Sequence, residues 1–85
     1  MKTINYKVND PAGIHARPAG VLVKNAKEFK SEIKINYNGK TADAKRLFDV
    51  MSLGIKQNDI IEITIIGEDE QMASEKIEKV MKENF

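Results

Sequence analysis

Apolar and polar residues alternate along Lys2 to Val8, with Ile4, Tyr6 and Val8 on one side of an extended chain. A period of two predicts a half-buried strand. Asp10-Pro11-Ala12-Gly13 then carries turn chemistry. From Ala16 to about Glu28 the spacing changes. Ala19, Leu22, Val23 and Ala26 recur as on one face of a helix. Pro18 fits this helix because the first turn does not need its missing N–H. It therefore fixes the helix start near His15 and places that residue at or beside the N-cap. Alternation returns from Glu32 to Tyr37, with Ile33, Ile35 and Tyr37 inward. Asn38-Gly39 follows, the pair favoured in a tight type I′ hairpin, and Lys40 to Ala44 forms a short return strand. Its Lys40 and Asp43 suit a sheet edge, where charge discourages pairing with other chains.

A short helix is predicted from about Arg46 to Ser52, ending near Gly54. Ile60 to Ile66 is dense in β-branched residues and reads as a central strand. A last helix begins after Gly67, with Asp69 as N-cap and Ala73, Ile77, Val80 and Met81 on its core side. The order is β-α-β-β-α-β-α. Helices on one face of an antiparallel sheet leave the other face to water. The alternate positions Lys7, Lys34, Asn36, Glu62 and Thr64 are indeed polar. The expected class is α+β, an open-faced β-sandwich with three helices on one face of a four-stranded antiparallel sheet.

Composition narrows the function classes. Eighty-five residues, 41% hydrophobic and 32% charged, suit one small globular domain spanning positions 1–85. A net charge of +1 and an open sheet face without aromatic residues argue against nucleic acid as partner. No apolar run is long enough for a bilayer, and residues 1–6 lack a signal-peptide core, so direct membrane insertion is not expected and the cytoplasm is the default. One histidine and no cysteine leave too few nitrogen and sulfur ligands for a metal. No cofactor is expected.

Chemistry concentrates in Gly13-Ile14-His15-Ala16-Arg17-Pro18-Ala19. Imidazole ionises nearest neutrality and is a nucleophile without a separate base. A helix start offers free N–H groups and a partial positive charge, both suited to an anion. The Arg17 guanidinium adds planar donors that fit phosphate oxygens, and Gly13 permits close backbone approach. Together these point to a histidine that carries a phosphoryl group. A lone loop histidine is otherwise an ordinary solvated residue. The short helix offers a second feature, since Leu47, Phe48, Val50, Met51 and Leu53 are all apolar. Two turns bury only part of their circumference. Val50 and Leu53 are expected inside and Leu47, Phe48 and Met51 at least partly exposed, as an interface patch. The alternative is that all five pack into a small core. Lys24 and Lys27 form either a basic rim to that patch or a solvated charged face.

The first segment closely resembles the active-site signature of the HPr family, the histidine-containing phosphocarriers of the phosphoenolpyruvate-dependent sugar phosphotransferase system. Val50-Met51-Ser52-Leu53-Gly54-Ile55 resembles that family's second conserved block, and the likeness spans essentially the whole chain. The resemblance implies a sheet of strand order 1-4-2-3. It implies that phosphorylated Enzyme I passes its phosphoryl group to Nδ1 of His15, which hands it to the A domain of a sugar-specific Enzyme II. By the same likeness Arg17 contacts the phosphoryl group, and backbone N–H groups at Ala16 and Arg17 cap it. Leu47, Phe48 and Met51 match the family's apolar docking surface, and Lys24 and Lys27 its basic contacts. The chain is then a monomeric carrier without turnover of its own, not an enzyme.

Three positions depart from the pattern. Arg46 stands where many relatives carry a regulatory serine, so serine-based regulation is not expected. Gly20 lies inside a helix, where it costs roughly 1 kcal/mol against Ala; it either lets a partner come close to His15 or carries no role. Asp49 adds negative charge beside the docking surface. The competing readings are a regulatory paralogue that signals through protein contacts, and a binding module in which His15 is incidental.

Overall fold

The computed structural model describes residues 1–85. Its elements are β1 (Lys2–Lys7), α1 (Ala16–Ala26), β2 (Glu32–Tyr37), β3 (Lys40–Asp43), α2 (Leu47–Ser52), β4 (Ile60–Ile66) and α3 (Glu70–Asn84). The strands form one sheet in the order β1-β4-β2-β3, and every neighbouring pair is antiparallel.

Register follows the period-two pattern. Ile63 of β4 faces Ile4 on one side and Ile35 on the other, and Ile65 faces Ile33. A slip of one residue would turn this isoleucine row to water. The row is buried, and each such side chain contributes about 1.5–3 kcal/mol when removed from water. The apolar faces of α1 and α3 close over it: Leu22 and Ala26 from one helix, Ala73, Ile77 and Met81 from the other, all at 0% exposure. The core numbers 22 buried hydrophobic residues. The opposite sheet face is polar, and Asn36 links it by donating to Glu62 and accepting from Thr41. No helix is long and apolar enough to cross a membrane.

Boundaries shift slightly from the sequence pattern. Helix α1 stops at Ala26, because Glu28 and Phe29 donate three residues back, to Asn25 and Ala26. Such bonds tighten the final turn and end the helix. Asn38 and Gly39 both have positive φ, +48° and +76°, as a type I′ turn demands. Asp69 occupies the N-cap of α3, yet its side chain makes no capping bond. Its carboxylate instead accepts from the N–H groups of Lys30 and Ser31 and the hydroxyl of Ser31. Glu70 accepts the N–H of Gly67, just before the helix.

Candidate phosphoryl site and docking face

His15 is the N-cap of α1, extended at φ −121° and ψ 175°. Its carbonyl accepts the Ala19 N–H at 2.9 Å and starts the helix. Its ring makes no capping bond and is 43% exposed. Pro18, buried in the first turn, supplies no N–H. The N–H groups of Ala16 and Arg17 therefore stand at the helix start without an acceptor in the protein. No acidic residue lies in that turn to neutralise the helix end. The Arg17 side chain is exposed and enters no ion pair with the protein. The arrangement combines a solvent-facing imidazole, two free N–H donors and an unpaired guanidinium, which suits an incoming anion.

The loop that delivers His15 is held from two sides. Gly13 has φ +69°, and a Cβ there would meet the Ile55 carbonyl oxygen. Ile14 donates to that same oxygen at 3.2 Å. The segment after α2 thus seats the loop before α1. On the other side the Phe85 carbonyl accepts the N–H groups of Asn9 and Asp10, at 2.6 and 3.0 Å.

Asp10, read from sequence only as a turn residue, touches the ring itself. Its Oδ2 lies 3.3 Å from His15 Nε2, while its Oδ1 accepts the Ala12 N–H at 2.8 Å. The Ala12 N–H, and after it the His15 ring, hold the Asp10 carboxyl below the ordinary carboxylate range. The sequence signal available was Asp five residues before the only histidine, across a glycine-containing turn.

Val50 of α2 and Leu53 at its C-cap point into the core at 1% and 5% exposure. Phe48 is 86% exposed, Met51 37%, and Leu47 is half-buried against the core. All five do not fit inside because α2 has only six residues and one buried side. Helix α1 packs against α2 and contributes exposed Lys24 and Lys27, half-buried Gly20, and exposed Val21, which the sequence pattern missed. A Cβ at Gly20 would meet nothing within 4 Å, so no internal contact requires the glycine.

Residues 2–83 match the PTS-HPr family model, described as the PTS HPr component phosphorylation site. The chain is 47% identical to the phosphocarrier protein HPr of Buchnera aphidicola from Acyrthosiphon pisum, over 91% of each chain. It superposes on the histidine-containing phosphocarrier protein of a mycoplasma with a TM-score of 0.94 at 35% identity, covering 96% of this chain and 93% of that one. A solved HPr dimer from Thermoanaerobacter tengcongensis is similar at a TM-score of 0.78 and 30% identity, covering 98% and 95%. With an open four-stranded sheet, three helices and a histidine at the start of the first helix, the chain belongs to the HPr family, the phosphocarriers of the phosphotransferase system.

Proposed function

We propose that His15 accepts a phosphoryl group on Nδ1 from phosphorylated Enzyme I and passes it to the A domain of a sugar-specific Enzyme II. The observation that carries this reading is the exposed His15 ring beside the free N–H groups of Ala16 and Arg17. Phosphoryl transfer depends mainly on positioning and on stabilising oxygen charge. Two N–H donors and the Arg17 guanidinium supply moderate stabilisation, which suits cargo that must leave again. Exposed Phe48 and Met51, with half-buried Leu47 and Gly20, form the docking face, and Lys24 and Lys27 its basic rim.

In this reading the 85 residues act as one monomeric domain in the cytoplasm, without cofactor, metal or independent turnover. Arg46, the N-cap of α2, has no hydroxyl to phosphorylate, so regulation through that position is absent. The test is to mix the protein with Enzyme I and phosphoenolpyruvate and measure acid-labile phosphohistidine. Wild type is expected to label and His15→Ala to stay unlabelled. Equal labelling of both, or none in wild type, rejects the carrier reading.

A further inference from the structure

We propose that Asp10 is a positioning residue for His15: its carboxylate accepts the Nε2–H of the ring and leaves Nδ1 with the lone pair that attacks phosphorus. The inference rests on the carrier reading above. It deepens that reading by naming a group that selects the reactive nitrogen.

The geometry separates the two oxygens of one carboxylate. Oδ1 is occupied by the Ala12 N–H at 2.8 Å, which fixes the plane of the group. Oδ2 faces Nε2 at 3.3 Å, just beyond the usual N–H···O range of about 2.7–3.2 Å. An ionised carboxylate only accepts, so this contact requires the proton on Nε2. A neutral imidazole with its proton there has its lone pair on Nδ1. Asp10 is itself fixed through its backbone, since its N–H donates to Phe85 and its carbonyl accepts the Gly13 N–H at 2.8 Å. The Asp10 side chain is 28% exposed, so solvent weakens the contact without removing it.

The transfer step balances on this arrangement. The Nδ1 lone pair forms the N–P bond as the bond from phosphorus to the phosphorylated donor protein breaks. The bonding pair leaves with the donor. The ring keeps its Nε2 proton and gains positive charge, which then lies beside the Asp10 carboxylate. The contact is therefore stronger after transfer than before it, and such differential interactions raise the rate of a step.

Asp10→Asn separates charge from structure. The amide oxygen still accepts the Ala12 N–H and keeps the turn, but the amide nitrogen facing Nε2 is a donor. Ring 15N shifts of the unphosphorylated protein are expected to show the Nε2–H tautomer in wild type and its loss in Asp10→Asn. Phosphorylation by Enzyme I and phosphoenolpyruvate is expected to slow about twofold to fivefold in Asp10→Asn, the upper part of the range for losing one partly exposed charge contact. An unchanged tautomer, or a wild-type rate in Asp10→Asn, overturns the proposal. A wild type that takes no label overturns the carrier reading instead, and the ring 15N shifts still decide whether Asp10 holds the imidazole.

Discussion

Asp69 Oδ1 accepts both the N–H and the hydroxyl of Ser31, at 2.9 and 2.5 Å, and ties the start of α3 to the lead-in of β2. The Ser31 hydroxyl, and after it the Lys30 N–H, hold the Asp69 carboxyl below its ordinary value. The group therefore releases its proton more readily in the folded chain than in the unfolded one, where the value is about 3.9. A lowered folded value adds stability above the unfolded value and loses it as pH falls through the folded one. Asp69→Ala is expected to lower the thermal midpoint at pH 7 by roughly 4–8 °C. The deficit should shrink as pH falls below the unfolded carboxylate value and the folded group takes up its proton. A deficit that stays constant from pH 7 to pH 2, followed by circular dichroism, contradicts this account.

Gly13→Ala tests the seat of the His15 loop. The substitution places a Cβ against the Ile55 carbonyl and Lys56 Cα at φ +69°, where relaxation means moving backbone. The expected loss is about 2–4 kcal/mol in urea unfolding. Chemical shifts of His15 should move with it, because Ile14 shares the Ile55 oxygen. A loss below 1 kcal/mol would show that the loop has another way to sit.

Gly20→Ala should act in the opposite sense. The position is inside α1 and a Cβ there meets nothing within 4 Å. The expected gain is about 0.5–1 kcal/mol, from lower unfolded-chain entropy and better helix propensity. If α1 approaches Enzyme I closely at this point, the same variant will raise KM for phosphoryl acceptance. A destabilised Gly20→Ala would mean that α1 is under a constraint unrelated to space.

Phe48 and Leu53 should divide stability from docking. Phe48→Ser removes a side chain that is 86% exposed, so unfolding free energy is expected to stay within about 0.5 kcal/mol of wild type. Leu53→Ala removes one that is 5% exposed, with an expected loss of about 2–5 kcal/mol. Transfer from Enzyme I should slow at least roughly fivefold in Phe48→Ser, the loss of about 1 kcal/mol that only a minority of interface residues exceed. Unaltered transfer kinetics there would take Phe48 out of the docking face.

Short-range chemistry was readable from the chain. Alternation placed Ile33 and Ile35 inward, Asn38-Gly39 specified its turn, and Pro18 fixed the start of α1. Strand order was not legible from element order; it came through family resemblance, and the β1–β4 ladder joins Lys2 to Ile65. The position of Asp69 was visible, but its bonding was not, because Ser31 lies 38 residues away. Asp10 was hidden for a different reason. Its residue type already explained a turn, and only the folded loop brings its second oxygen to the ring.

The bonds from Asn9 and Asp10 to the Phe85 carbonyl join the loop before His15 to residue 85. Synthesis runs from the N-terminus, and domains fold as units once their parts are available. His15 thus leaves the ribosome long before the residue that fixes the backbone of Asp10. A nascent chain already displays the histidine and its arginine, but the finished site waits for the last turn of α3. A polypeptide lacking Phe85 carries the right residues in an unfastened loop.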